Sequence, residues 1–261
     1  MKNRMDTNFA ICKEKNKKIL ILYFPVGDTI FENKDVEWAK NYFDNGCDVL
    51  EIGLPNDNPI LDGKTVRESM ARALNNTNLE GCFEKIKEIR KACPNNILQI
   101  MCYYRIIEEM GLEAFAKKCH ECDVDAVLAP NIPSDKLLEI DEALGKYNIY
   151  NLRFVPYYLN DAVVEDLVKH SKGYIFQQAV DGATGAQPTV SKQIGVDVEI
   201  IKKAGVKTPV CAGFGISDAK QLKEALDMNA DGAIVGSATI SHVIKGDGIE
   251  FISSLGKTTY R

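Results

Sequence analysis

The chain has 261 residues, of which 45% are hydrophobic and 26% are charged. These values are ordinary for a soluble globular protein, and a chain of this length can bury a core without disulfides or a structural metal. The net charge of −5 argues against a nucleic-acid surface, because no Lys/Arg stripe interleaves with aromatic residues. No secretory signal and no apolar run of about 18 residues is evident, so we expect a cytoplasmic protein that does not enter a membrane.

Eight short apolar segments alternate along the chain with amphipathic helical segments. The candidate strands are 18–24, 48–53, 97–104, 125–130, 150–156, 174–180, 209–215 and 232–237. Eight strand–helix units in a chain of this length predict a (β/α)₈ TIM barrel, forming one domain over residues 1–261. An open doubly wound sheet is the alternative, but no GxGxxG loop follows the first strand. Residues 1–17 are expected to form a helix over the bottom of the barrel.

The eight cysteines are scattered, and one pair, Cys119 and Cys122, has the spacing of a metal or redox motif. A lone CxxC is a weak signal, and this one closes a helical pattern. We therefore interpret both as ordinary helix residues, and the other cysteines as small buried hydrophobes in a reducing compartment.

A glutamate stands inside the second apolar segment, where a buried strand would normally hold hydrocarbon. Because side chains alternate along a strand, Glu51 should face the barrel interior with Val49 and Gly53, while Leu50 and Ile52 face the helices. Glu51 would then lie near the carboxyl end of its strand, where barrel enzymes keep their active sites. Apolar surroundings raise a carboxyl pKa, so Glu51 could hold a proton near neutral pH and deliver it. The alternative is a structural carboxylate paired with a buried Lys or Arg.

A second acid, Asp62, follows in the long segment after this strand. Pro55, Pro59 and Gly63 indicate a shaped loop there. Such a loop can bring Asp62 over the barrel mouth to face Glu51, and two carboxylates in different environments can take different protonation states. For a loop aspartate considered alone, a turn or a helix cap is the alternative.

Glycines follow the last two predicted strands. Gly213 and Gly215 precede Ser217, which is expected to open a helix, and Gly236 with Ser237 opens a short helix after the final strand. Backbone N–H groups beside glycine and at helix N-termini bind anions, and barrels commonly hold a substrate phosphate at these two loops. We therefore predict a phosphate site, although each glycine pair alone could form a tight turn.

The segment 180–189, after the sixth predicted strand, is small and polar. It has the composition of an active-site lid, in which Thr184 and Gly185 could close on the same phosphate. A plain surface loop is the alternative.

With these motifs in this order and spacing, the sequence resembles the tryptophan synthase α subunit family over nearly the whole chain. The resemblance rests on the segments YFPVGD, VLEIGLP with the following Pro and Asp-Gly, NIP, GATGA, GFGIS and GSA. It implies a (β/α)₈ barrel that needs no metal or cofactor. It also implies a lyase of tryptophan biosynthesis, which cleaves indole-3-glycerol phosphate into indole and glyceraldehyde 3-phosphate by a retro-aldol reaction.

The resemblance also assigns roles to residues. Glu51 and Asp62 match the family's catalytic acids; Glu51 would protonate C3 of the indole, and Asp62 would accept the indole N–H. The group that deprotonates the glycerol hydroxyl stays open, with Glu51 one candidate. The other implied site residues are Gly185, Gly215, Gly236 and Ser237 for the phosphate, and Tyr23, Tyr103, Phe176, Thr184 and Phe214 around the substrate.

The departures from the family pattern are concentrated in the loops and strand ends at the barrel mouth. They are Asn56-Asp57-Asn58 for Phe-Ser-Asp, Lys64 for proline, Arg105 for asparagine, Pro130-Asn131 for Ala-Asp, Phe176 for the active-site tyrosine and Gln177-Gln178 for an apolar pair. Because several of these loops contact the pyridoxal-phosphate β subunit in the family, we expect an ordinary β subunit to bind poorly.

Two other functions stay open at this point. One is a related barrel lyase or isomerase that acts on a different phosphorylated substrate, as the added polarity near the mouth suggests. The other is a non-catalytic homologue that binds and regulates a partner, although a scaffold needs neither Glu51 nor Asp62.

Overall fold

The computed structural model describes residues 2–179, 191–213 and 215–260 of the chain. The strands in this part are β1 Ile19–Pro25, β2 Val49–Gly53, β3 Ile97–Met101, β4 Ala126–Leu128, β5 Tyr150–Asn151, β6 Arg153–Val155, β7 Ile175–Gln178, β8 Val210–Gly213 and β9 Gly232–Val235. The helices are α1 Arg4–Glu14, α2 Asp35–Asp44, α3 Lys64–Asn76, α4 Leu79–Ala92, α5 Tyr104–Met110, α6 Leu112–Glu121, α7 Leu137–Gly145, α8 Asp161–His170, α9 Gln193–Lys203, α10 Ala219–Asp227, α11 Ser237–Lys245 and α12 Gly248–Thr258.

The strands form one sheet in the order β5-β4-β3-β2-β1-β9-β8-β7-β6, and all neighbours in it run parallel. β5 and β6 are two parts of one segment, interrupted at Leu152. The first part pairs with β4 and the second with β7, so the row of strands returns on itself and closes a barrel. The predicted (β/α)₈ fold is confirmed, with the fifth of the eight expected strands divided in two.

The barrel has two apolar regions, separated by the strands. Leu50 and Ile52 of β2 belong to the large cluster beneath the helices, whereas Val49 belongs to a second cluster inside the barrel. This alternation confirms the strand orientation expected from the sequence, and it places Glu51 on the interior face.

Helix α1 covers the bottom of the barrel, as expected. The side chain of Asn3 accepts a hydrogen bond from the Met5 backbone and starts the helix. The same side chain donates bonds of 2.9 Å to the backbone carbonyls of Asp125 and Asn148. Met5 is fully buried in the interior cluster, so the helix is fixed both by hydrogen bonds and by an apolar plug.

The cysteines behave as structural residues. All eight are free and buried, and Cys122 packs at the end of α6 with its thiol against the Phe83 carbonyl at 3.5 Å. Burial raises the pKa of Cys122 to about 12, so its thiol stays protonated and unreactive. The interpretation of Cys119 and Cys122 as ordinary helix residues agrees with this environment.

No helix formed by the described residues combines the length and apolar character needed to cross a bilayer. The strands described share one sheet. The single domain over residues 1–261 and the cytoplasmic location stay predictions.

Candidate active site

A mostly apolar pocket lies at the carboxyl ends of the strands. Both acids that the sequence predicted to face each other line this pocket. The described residues that line it are Tyr23, Glu51, Leu61, Asp62, Val66, Met101, Leu128, Pro130, Phe154, Phe176, Gly215, Ile216, Ile234, Gly236 and Ser237. The pocket therefore contains two carboxylates within a wall of aliphatic and aromatic side chains, a suitable setting for a flat apolar ligand.

Glu51 is almost fully buried, and its partner is an amide. The Gln99 side chain donates a hydrogen bond of 3.0 Å to Glu51, and the Tyr174 hydroxyl donates one of 2.7 Å to the Gln99 oxygen. Among the described residues no Lys or Arg pairs with Glu51, so the buried ion pair considered as an alternative is absent there. Burial raises the pKa of Glu51 from 4.5 to about 8; the Gln99 bond opposes this increase, and the charge of Asp62 adds to it. Glu51 is therefore mostly protonated at neutral pH.

Gln99 and Tyr174 are functional residues that the sequence analysis missed. Gln99 is directly opposite Glu51 in the β2–β3 register, and it is fully buried on a strand whose other residues are all apolar. The signal that identified Glu51, a polar side chain at an inward position of an apolar strand, also applied to Gln99. No comparable signal marks Tyr174, since an aromatic residue is ordinary at the start of a strand.

The raised pKa of Glu51 predicts a dependence of stability on pH. The folded protein keeps a proton that the unfolded chain releases between pH 4.5 and about 8, so the free energy of unfolding should fall as pH rises through this window. The slope from this one group should reach about 1.4 kcal/mol per pH unit at most. Urea unfolding of the wild type and of Glu51→Gln across the window measures it. As pH rises, the free energy of unfolding of the wild type should fall relative to that of the variant. If the difference in unfolding free energy between the two proteins stays constant with pH, the raised pKa is contradicted.

Asp62 is held at the pocket by a hydrogen-bond network. The Tyr103 hydroxyl donates a bond of 2.7 Å to the Asp62 carboxylate and accepts one of 3.1 Å from the Leu61 backbone. The Arg67 guanidinium donates to the Asp62 carbonyl at 2.5 Å. Tyr103 was expected to be a wall of the substrate pocket. It is not among the described lining residues, but its hydroxyl bonds to Asp62, which is; Tyr103 is thus placed to orient the acid, and its contact with the substrate stays a prediction.

The loop that carries Asp62 leads directly into α3, and α3 is tied to the loop after β1. The buried Asp28 carboxylate receives two hydrogen bonds of 2.7 Å from Arg72 of α3 and one of 2.5 Å from Ser69. Val66 of the same helix packs against Tyr23 inside the pocket wall. These contacts hold the body of α3 against the loop after β1 and the pocket wall, and thereby support the loop that carries Asp62.

One helix N-terminus described in the structure faces the pocket. Gly236 is the N-cap of α11, and Ser237 is its first residue; both line the pocket. The first N–H groups of a helix have no partners within it, so this end can bind an anion. Gly215 also lines the pocket and adopts a φ of +83°, which favours glycine.

The second helix expected beside the phosphate begins two residues later than predicted. α10 begins at Ala219, and its N-cap is Asp218, whose own carboxylate accepts from the Gln221 backbone. Ser217, predicted to open this helix, instead donates through its N–H and hydroxyl to the Gln221 side chain. Gly213 also has a different use, because a Cβ there would lie 2.3 Å from the Phe176 ring. It makes room for that ring in the pocket.

Three predicted site residues, Thr184, Gly185 and Phe214, lie outside the described residues, and their roles stay predictions. Within the described ranges, no group of three or more His, Cys, Asp or Glu side chains could hold a metal ion. The absence of a metal and of a cofactor stays an expectation.

Comparison with known proteins identifies the family. The sequence model of the family described as tryptophan synthase alpha chain matches residues 9–252. The chain belongs to the tryptophan synthase alpha chain family. The resemblance recognised from the sequence motifs is thereby confirmed.

Individual relatives agree with this membership. The tryptophan synthase alpha chain of Methanocaldococcus jannaschii is 31% identical over 243 residues, which cover 93% of this chain and 85% of that protein. The tryptophan synthase alpha chain of Actinobacillus pleuropneumoniae is 31% identical over 240 residues, covering 91% and 88%. A solved structure of Mycobacterium tuberculosis tryptophan synthase superposes with a TM-score of 0.90 over 100% of both chains at 22% identity, which supports the fold.

Proposed function

We propose that this chain cleaves indole-3-glycerol phosphate to indole and glyceraldehyde 3-phosphate, as expected for its family. One observation carries the proposal: a protonated Glu51 and the carboxylate-bearing Asp62 line one apolar pocket, together with the N-terminus of α11. An aromatic ring fits the apolar wall, and a phosphate fits the helix N-terminus.

The chemistry follows from these positions. Glu51 delivers its proton to C3 of the indole, and the ring nitrogen takes up the positive charge. Asp62, held by Tyr103, accepts the indole N–H and stabilises that charge. The bond between C3 and the glycerol carbon then breaks, and its electrons restore the aromatic ring. The hydroxyl on that carbon loses its proton and becomes the aldehyde, and Glu51, now a carboxylate, is the group that we assign to take it.

The residues that depart from the family pattern support an unchanged substrate with an apolar aromatic ring. Two of them, Pro130 and Phe176, line the pocket, and both are apolar. The two glutamines form hydrogen bonds to residues outside the described pocket lining. Gln177 donates to Asp197 of α9 at 3.0 Å, and Gln178 accepts from the Tyr157 backbone at 3.2 Å.

The charged departure at the mouth also leaves the pocket unchanged. Arg105 pairs with Asp57 and lies 3.4 Å from Glu109, and its side chain is 47% exposed. The sequence left open a different phosphorylated substrate. None of the polar residues that depart from the family pattern is among the described lining residues, so the pocket offers such a substrate no additional polar contact. The non-catalytic alternative would not need Glu51 and Asp62 at one pocket.

The decisive test is indole release from indole-3-glycerol phosphate by the purified chain, followed by absorbance or by chromatography. Cleavage at a rate that scales with protein concentration establishes the proposal. Binding of the substrate without indole release would favour a binding protein. Failure to bind it, with retained affinity for glycerol phosphate, would favour another phosphorylated substrate.

The partner subunit is the point on which this chain should differ from its relatives. Asp57 and Arg105 replace a serine and an asparagine of the family pattern in loops that contact the β subunit there. Docking a surface matched to uncharged residues would remove water from both charges, which is costly even for a pair. We therefore expect weak binding to the β subunit of a relative such as Actinobacillus pleuropneumoniae, and a chain that cleaves its substrate without it.

A double substitution makes this prediction sharper. Asp57→Ser with Arg105→Asn should tighten the complex by about tenfold, since it removes the desolvation cost. Glu199→Ser with Lys203→Asn is the matched control, because it removes an exposed ion pair from α9. Calorimetric titration with the purified β subunit measures both. Tight binding of the wild type with a large stimulation of indole release would contradict the prediction.

A further inference from the structure

The hydroxyl of Tyr23 is the most informative polar group that the mechanism above does not use. Tyr23 is 4% exposed and lines the active-site pocket, yet its hydroxyl has no hydrogen-bond partner among the described residues. The other three buried tyrosines described, Tyr42, Tyr103 and Tyr174, each donate to a named oxygen. A buried hydroxyl without a partner is costly, and for one at a pocket wall a bound ligand is a group that can supply the partner.

The fold positions this hydroxyl within the electrostatic influence of both acids. Tyr23 is opposite Glu51 in the β1–β2 register, and its ring crosses above Gly53, where a Cβ would lie 2.1 Å from the hydroxyl. Gly53 is therefore required for the ring to lie in this position. Burial and then the charges of Asp62 and Glu51 raise the Tyr23 pKa well above 10, so the hydroxyl is a neutral donor.

The other end of the same ring lies beside the anion-binding helix. A Cβ built on Gly236 would be 3.5 Å from the Tyr23 Cβ. The side chain thus extends from the N-terminus of α11 towards Asp62. A ligand held by a phosphate at Gly236 and by an aromatic ring at Asp62 must pass along it.

The proposed substrate offers few acceptors along this path. The indole N–H is a donor and is assigned to Asp62, and the phosphate is assigned to α11. The remaining acceptors are the two glycerol hydroxyl oxygens, one of which is on the carbon whose bond breaks. The Tyr23 hydroxyl is itself buried, so a glycerol hydroxyl that reaches it would supply the hydrogen-bond partner that it lacks.

We propose that the Tyr23 hydroxyl donates a hydrogen bond to a glycerol hydroxyl of the substrate, which makes Tyr23 a residue that selects a hydroxylated side chain. This inference rests on the proposed function. It goes beyond the expected aromatic contact, because the ring alone would be supplied equally well by phenylalanine. A site that hydrogen-bonds a substrate hydroxyl discriminates against analogues that lack it.

Two ligands separate the hydroxyl from the ring. Indole-3-glycerol phosphate carries both glycerol hydroxyls, and indole-3-propanol phosphate carries neither. Calorimetry is done in the Glu51→Gln background, where turnover of the first ligand is expected to be about 10²–10⁴-fold slower. Tyr23→Phe should weaken the binding of indole-3-glycerol phosphate by about threefold to tenfold. The binding of indole-3-propanol phosphate should be unchanged or tighter. Tyr147→Phe, which removes a hydroxyl from a ring stacked on His120 outside the pocket, should alter neither affinity.

Steady-state kinetics with Glu51 intact provides a second measurement that does not depend on the double variant. The KM for indole-3-glycerol phosphate should rise in Tyr23→Phe, while the inhibition constant of indole-3-propanol phosphate stays constant. An equal loss for both ligands would overturn the proposal and indicate that the hydroxyl acts through Asp62; no loss for either would also overturn it. Failure of the proposed function is recognised separately, as absence of indole release by the wild type.

Discussion

Replacing Glu51 by glutamine should lower the turnover of indole-3-glycerol phosphate by about 10²–10⁴-fold, the usual contribution of a general acid–base group. The amide has nearly the same shape and can still meet Gln99, but it carries no proton that it can deliver to C3. Substrate affinity should change little, because Glu51 acts on the ring during the reaction and the pocket wall is otherwise intact. Single-turnover kinetics and calorimetry on the same preparation measure the two quantities separately.

The matched control is Glu109→Gln, which makes the same chemical change at an exposed carboxylate outside the described pocket lining. It should keep wild-type turnover. The pH profile provides a further check: the step that needs protonated Glu51 should slow as pH rises through about 8, because the acid form is then lost. If Glu51→Gln cleaved its substrate at nearly the wild-type rate, the acid role would be wrong.

The positions of Glu51 and its neighbours could be predicted from the sequence because strand geometry is strict. Side chains alternate with a period of two, so one buried acid on β2 determines which residues of that strand face inward. Leu50 and Ile52 indeed lie under the helices, and Val49 lies inside the barrel. The carboxyl end of the strand is the active-site face in this fold, which accounts for the pocket position.

Loop geometry and side-chain direction were less predictable. Tyr103 follows β3 directly, and its position was compatible with either a pocket wall or a contact to the Asp62 loop. Its hydroxyl bonds to Asp62, which is 41 residues away in the sequence. The loop that carries Asp62 brings the two together, and no local sequence pattern predicts such a contact. Gln177 and Gln178 present the same difficulty: polarity at the mouth was inferred from their place in the chain, but one bonds to α9 and the other to the loop after β6.

Glycine was the residue type whose role the sequence left most ambiguous. The motif around Gly213 and Gly215 was interpreted as phosphate-binding backbone. In the structure Gly215 lines the pocket with a positive φ, whereas Gly213 creates space for Phe176. The sequence does not distinguish a glycine that makes room for a ring from one that exposes a backbone N–H. The two roles depend on which side chain packs against the glycine in the fold.

The second large effect should come from the N-terminus of α11. Gly236→Asp should weaken the binding of glycerol phosphate by roughly 10²-fold, since a carboxylate would occupy the free N–H groups and repel the anion at short range. A Cβ at this position meets Tyr23 at an ordinary 3.5 Å, so the fold should tolerate a side chain.

Gly236→Asn is the matched control, because asparagine has nearly the same shape as aspartate without the charge. Its loss of affinity for glycerol phosphate should be much smaller. Calorimetry with glycerol phosphate on the three proteins measures the difference. Equal affinities of the aspartate and asparagine variants for glycerol phosphate would contradict the assignment of the phosphate site to this helix. The large effect is expected because the described pocket lining contains no Lys or Arg: a phosphate at this predicted site would depend on the backbone N–H groups of the helix, and one added carboxylate could satisfy those groups in its place.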